Sequence, residues 1–302
     1  MRTIVLALLV VFLGVTPIVA AQAKTKHRAH SVQSVEPPPP PQPQLPSLRP
    51  VVTSYDVYVG GVHLLEVRFL FQEEPGRYRI KALARTRGFW HFVAPWESHI
   101  VSEGKIEGAR FAPVEHTNTS IWKKQPKTLA MHFDAQHNVA VDFDPPDPPS
   151  DKRNIVTEEQ KRGALDPLSS VLQLLGNLAV NKSCAGTEPV FDGKRRFDLT
   201  GTDLGWDDTD PDDYGVYKGR ARLCDIGFKM VAGEWKDRER SKFWQTKTGE
   251  KGRRESYRIW LASLAPDMPE LAVRAESQSV WGWIIVHLSE WHYATSAELA
   301  EP

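Results

Sequence analysis

From Val51 onward, apolar and polar positions alternate with period two, the spacing of a strand that buries one face. Tyr55, Val57 and Val59 share one parity, and Leu65, Val67, Phe69 and Phe71 share one parity beyond the turn dipeptide Gly60-Gly61, which predicts a hairpin. Tyr78, Ile80, Ala82 and Ala84 alternate with Arg77, Arg79, Lys81 and Arg85. Leu129, Met131 and Phe133, then Val139, Val141 and Phe143, repeat the pattern across a turn at 135–138. Further strands are expected at 98–103, 106–112, 114–122, 195–201, 214–219, 221–231, 254–262, 271–278 and 280–293, so the chain reads as a mostly β, mostly antiparallel protein.

Two segments interrupt this pattern. Thr157 and Gln160 form a capping box that opens a short helix over 158–162, which Gly163 ends. Asp166 as N-cap and Pro167 at the first helical position open a second helix, in which Leu168, Val171, Leu172, Leu175, Leu178 and Ala179 recur at i, i+3, i+4 spacing. Such a stripe is buried against a sheet, either as plain core or as a lid across the mouth of a curved one.

The 302-residue chain is 41% hydrophobic, enough for a sizeable core. Its 38 Lys and Arg balance 38 Asp and Glu, which removes global basicity as a reason to expect nucleic acid as a partner. Two cysteines exclude four-thiolate zinc and iron–sulfur sites built from one chain. At the N-terminus, Arg2, the apolar run Ile4 to Val15, Pro17 and Ala21-Gln22-Ala23 follow the order of a secretory signal, with cleavage expected after Ala23 or Ala21; an uncleaved membrane anchor is the alternative. Residues 24–50 follow, with Pro37 to Pro41, Pro43, Pro46 and Pro50, a composition that favours a polyproline spacer. The expected organisation is a signal peptide at 1–23, a Pro-rich linker at 24–50 and a β-rich domain at 51–302. The mature protein is expected to be periplasmic and close to the membrane without spanning it.

Four stretches carry a family resemblance: Ser54-Tyr55-Asp56-Val57-Tyr58-Val59-Gly60-Gly61, Arg85-Thr86-Arg87-Gly88, Gly163-Ala164-Leu165-Asp166-Pro167-Leu168-Ser169, and Val190-Phe191-Asp192-Gly193-Lys194-Arg195-Arg196-Phe197-Asp198-Leu199. In these the chain resembles the exported bacterial family called domain of unknown function 3108, over about residues 51–232. The resemblance implies a Gram-negative periplasmic protein with a curved, incompletely closed β-sheet or barrel, similar to lipoprotein-carrier and β-spiral folds. It implies no catalytic residue. The segment 233–252 departs from the family pattern and reads as an insertion or long loop.

An exported chain meets an oxidising compartment, so Cys184 and Cys224 are expected to form a disulfide that pins the end of the apolar helix to a strand. Other chemistry fares less well. Ser120-Ile121-Trp122-Lys123 and Lys247-Thr248-Gly249 match two of three elements of the penicillin-recognising serine enzymes, yet Ser120 lies in a β-patterned stretch and no Ser-Asp-Asn occurs. His287 and His292 flank Glu290, but on a regular strand imidazoles five residues apart face opposite sides, so no metal site is expected from them. Asp203, Asp207, Asp208, Asp210, Asp212 and Asp213 crowd one loop and fit a solvated acidic loop or a calcium site. No cofactor is expected.

Two surfaces remain. Lys194, Arg195 and Arg196, with Arg220 and Arg222 on a neighbouring strand, suit an anionic head group or a balanced positive face. Phe89, Trp90, Phe92, Val93 and Trp96 form one aromatic patch; Trp281, Trp283, Ile285 and Trp291 form one face of the last strand, with Ile284, Val286 and Leu288 on the other. The resulting expectation is a non-enzymatic envelope protein that binds a lipid or other amphiphile in its concave side. Phe69, Phe71, Phe89, Trp90, Trp281 and Trp283 would line the site, and Lys194, Arg195 and Arg196 would stand near the head group. The alternative is a scaffold for an envelope protein or cell-wall polymer.

Overall fold

The structure is a computed structural model that describes residue 45 and residues 47–146, 153–209, 214–236, 257–279 and 281–300. The expected signal segment, most of the Pro-rich stretch, the motif Lys247-Thr248-Gly249 and most of the segment 233–252 lie outside the described residues.

Seven strands come first: β1 (Val51–Val59), β2 (Val62–Glu74), β3 (Arg77–Thr86), β4 (Trp96–Glu107), β5 (Arg110–Trp122), β6 (Gln125–Phe133) and β7 (Val139–Asp144). A short helix α1 (Gly88–Val93) separates β3 from β4. Helices α2 (Glu158–Lys161) and α3 (Pro167–Asn181) then lead into β8 (Gly186–Phe191), β9 (Arg196–Asp208), β10 (Arg220–Ala232), β11 (Tyr257–Ser263), β12 (Glu270–Ser279) and β13 (Gly282–Tyr293). A final helix, α4 (Ser296–Ala300), follows. These strands form a single 13-stranded sheet in the order β7-β6-β5-β4-β3-β2-β1-β13-β12-β11-β10-β9-β8. Every pairing is antiparallel. Two meanders are thus joined where β1 meets β13, and β7 and β8 remain as edges.

The interior face of the sheet is occupied. Leu168 and Leu172 of α3 pack with Val51, Phe71, Tyr78, Ile80, Ile100 and Phe111. One turn further along the helix, Leu174 and Leu178 pack with Val190, Phe197, Leu199, Ile226 and Leu261. The helix is therefore core on the concave side, although Val171 of the expected stripe is exposed and Leu174 is buried instead. Cys184, just past its end, is bonded to Cys224 on β10, and both sulfurs are buried in the second group. Both expected caps are present: Thr157 and Gln160 make the capping box, and the Asp166 carboxylate accepts from the amides of Leu168 and Ser169.

The sheet edges do not pair with each other, but one segment spans them. The Gly163 amide donates to the His137 carbonyl in the β6–β7 turn, while Leu165 exchanges backbone hydrogen bonds with Pro189 and Phe191 of β8. Beneath this strap Met131, Phe133 and Val139 pack against Phe191. Exposed edges invite association, and this one is covered by the chain's own backbone.

Several boundaries differ from expectation. Residues 214–219 are not a strand; they form a loop whose Val216 amide reaches the Leu288 carbonyl on β13. The break expected between 103 and 106 is a bulge within one long strand, where pairing shifts between Glu103 and Gly104. Nor does the domain begin sharply at residue 51. Leu45 and Leu48 pack on the first core group, and the Leu48 amide donates to Glu73 at 3.0 Å.

Candidate functional site

In β2, Phe69 stands opposite Ala82 and Phe71 opposite Ile80, so both phenylalanines share the face that α3 covers. Phe71 is buried there, and Phe69 stacks edge-on against Tyr55 at 5.7 Å. The expected lining of a concave ligand site is corrected accordingly: these two residues are core, because the apolar helix fills the space a ligand would take.

The remaining aromatics lie elsewhere. Antiparallel order places the β12–β13 turn, the β1–β2 tip, the β3–β4 connection and the β5–β6 turn side by side at one end of the sheet. Phe89 is 71% exposed and Phe92 84%, Trp281 49% and Trp283 52%. Val62 and Val93 are exposed beside them, and Trp90 is half-buried against Phe89. We call this row the rim.

Its supports are hydrogen-bonded to neighbouring connections. Helix α1 contains no buried residue, yet its base is tied: the Thr86 hydroxyl accepts from the Trp96 amide at 3.1 Å, and the Ala94 amide closes the turn on the Trp90 carbonyl at 2.8 Å. The Trp96 indole donates to Ser120 at 2.8 Å, which gives that serine a structural partner on β5. Gly60, at φ +57°, lies where a Cβ would come within 2.6 Å of the Trp281 carbonyl, and its amide donates to the Trp283 carbonyl at 2.9 Å. Only glycine permits that approach of the two tips. At the far end of the row, Lys123 and Lys124 form the two-residue β5–β6 turn with φ of +50° and +65°, and the Lys123 amide meets the Pro95 carbonyl beneath α1.

One bulge reorganises the last strand. Pairing between β1 and β13 shifts between Ser54 and Tyr55, so Leu288 faces Tyr55 while Trp291 faces Thr53. Trp291 consequently joins Leu288 in the core instead of sharing a face with Trp283. The same shift puts His287 opposite Asp56 and His292 opposite Val52, hence on one side, contrary to strict alternation. Four residues of β1 still separate them by about 13 Å, and His292 is held by Glu298 at 3.0 Å. Among the described residues no group of three His, Cys, Asp or Glu side chains is placed to hold a metal ion.

The basic triplet is spent on neighbours. Arg195 pairs with Asp192 at 2.7 Å and Arg196 with Asp198 at 2.8 Å, while Lys194 lies over the Phe143 ring at 4.8 Å. These three stand at the β8–β9 turn, at the same end of the sheet as the rim but four strands along from β13. Arg222 is likewise bound to Asp203 at 2.8 Å. Asp207 accepts from the Trp260 indole at 3.0 Å, and Asp210, Asp212 and Asp213 lie outside the described residues.

A buried polar cluster was not legible in the sequence. The Asp166 carboxylate, fully buried, accepts from Ser102 at 2.7 Å and from Ser169, and lies 3.1 Å from His116 Nδ1. Tyr78 hydrogen-bonds Ser169 at 2.6 Å. Burial pushes the Asp166 carboxyl up, but the His116 charge and the hydrogen bonds from His116 and Ser169 outweigh it and hold the group below the usual carboxylate range. Burial, aided by the Asp166 charge, raises the Tyr78 phenol well above its ordinary value. A nucleophilic triad needs serine on one imidazole nitrogen and carboxylate on the other. Here Ser102 and Asp166 meet the same nitrogen, Nδ1, which is not that arrangement.

Residues 54–282 match the family described as "Protein of unknown function (DUF3108)". Among solved structures, the chain is similar to the beta-barrel-like protein of domain of unknown function DUF1849 from Brucella abortus, at 14% identity and a TM-score of 0.49, over 82% of this chain and 99% of that one. It is also similar to a "putative lipoprotein" from Parabacteroides distasonis ATCC 8503, at 9% identity and a TM-score of 0.28, over 83% of this chain and 99% of that one. No curated protein matches the chain.

Proposed function

The chain belongs to the DUF3108 family, and from that premise we propose that it is a non-catalytic, periplasmic cell-envelope protein that binds a lipid or other amphiphile through its aromatic rim. One observation carries this reading. Six apolar side chains, Val62, Phe89, Phe92, Val93, Trp281 and Trp283, are exposed on adjacent connections at one end of a sheet whose interior is already filled. Water-facing aromatics gathered in one place mark a binding surface more often than scattered single residues do. The disulfide and the signal-like N-terminus support an exported location. No helix among the described residues is long and apolar enough to cross a membrane.

The test is native mass spectrometry of the mature protein, purified without detergent, followed by solvent extraction. A discrete surplus mass that extracts as lipid is the expected result. A clean apoprotein mass, unchanged by added envelope lipids, would favour the second reading, an envelope scaffold whose partner is a protein or cell-wall polymer. The filled concave side is the observation that favours that alternative.

A further inference from the structure

We infer that the rim docks the protein on the surface of a bilayer carrying anionic headgroups, with Phe89 and Phe92 entering the interface and Lys123 and Lys124 meeting the lipid phosphates. The inference rests on the rim being the amphiphile-binding surface and names its partner.

Shape is the first argument. Helix α1 buries none of its residues, and its two phenylalanines project outward, more exposed than the other apolar side chains of the rim. Projecting side chains suit a fluid surface that closes around them, and aromatic rings favour the headgroup level of a membrane.

Charge is the second, and it comes from an independent feature. The β5–β6 turn has positive φ at both central positions, between the paired residues Trp122 and Gln125. Asn-Gly or Gly-Gly relieves the strain of such a turn; this chain places two lysines there. Both are exposed, and the turn touches the base of α1 through the Lys123 amide and Pro95. Of the carboxylates at this end, Glu66 binds Arg85 and Arg87 and Glu97 binds His99, while Asp142 and Asp144 at the end of β7 are exposed beside β6. The strained turn therefore presents two ammonium groups beside the apolar projection. An anionic headgroup layer complements both at once.

The mature full-length protein would be tested by vesicle flotation, with phosphatidylcholine alone and with an equimolar mixture of phosphatidylglycerol and phosphatidylcholine. Binding to the mixture, weakened by added salt and accompanied by a blue shift of tryptophan emission, is expected. Phe89→Ser with Phe92→Ser should reduce partitioning roughly tenfold or more, as should Lys123→Gln with Lys124→Gln. Leu204→Ser, an exposed apolar site on β9 away from the rim, should leave it unchanged. Equal binding to both vesicle types, or no loss in the lysine variant, would overturn the inference. So would dimerisation abolished by the phenylalanine changes without any vesicle binding. Binding of a monomeric lysophospholipid by a protein that ignores vesicles would overturn bilayer docking and leave the amphiphile reading standing; failure of both would remove the two together.

Discussion

Asp166 shows how much a single side chain can hold. It caps α3, accepts from Ser102 and Ser169 and lies against His116, all without access to water. Removing it should strand several buried polar groups, so Asp166→Ala is expected to lower unfolding free energy by about 3–5 kcal/mol. Asp166→Asn, which keeps the cap, should cost less, and urea titration separates the two. The pH dependence has a definite sign. The folded carboxyl is held below its ordinary value, so its stabilising contribution is present above the unfolded pKa of about 3.9 and is lost as pH falls through the folded one. Wild-type protein should therefore lose stability on acidification below about pH 4 more steeply than Asp166→Asn. The cap was readable from Asp-Pro ahead of an apolar stripe, because capping is local. Its partners were not: Ser102 and His116 arrive from β4 and β5, and only the register of the sheet brings them in.

Elements with an unbroken period were legible, and those that break it were not. The alternation in β2, β3 and β6 carried their facing directly into the structure. The β1–β13 bulge moved Trp291 to the inner face, a change invisible in the spacing because both faces of that strand are apolar. Helix α1 is not legible in the pattern because six residues, three of them Phe or Trp, set neither period. In α3 the stripe was clear, and the pairing of Cys184 with Cys224 followed from compartment and count. Opening that bond, by reduction or by Cys184→Ser with Cys224→Ser, should lower stability by about 3–4 kcal/mol. Hydrogen exchange should then show the C-terminal turns of α3 and its junction with β8 losing protection ahead of the β2–β3 hairpin.

For the molecule as a whole, the decisive fact is that the curved sheet contains its own helix and has its edges strapped by residues 163–165. The curved, incompletely closed form that the family resemblance implied is present, but the space assigned to a ligand holds side chains. Composition could not reveal this, since a buried helix and a lid have the same stripe. Phe191 holds the seam from the β8 side, and Phe191→Ala is expected to destabilise the protein by about 3–5 kcal/mol, with Gly163 and Leu165 amides exchanging first. The proposed binding surface therefore lies at the rim, where the aromatic residues singled out in the sequence and the unanticipated Lys123-Lys124 turn are neighbours along the row of connections. The measurement that tests this most directly is lipid occupancy by native mass spectrometry, compared among wild type, Phe89→Ser with Trp281→Ser, and Phe71→Ala. Loss of the bound mass in the rim variant and its retention in Phe71→Ala is the expected result. Retention in the rim variant with loss in Phe71→Ala would place the ligand inside the sheet and contradict the account.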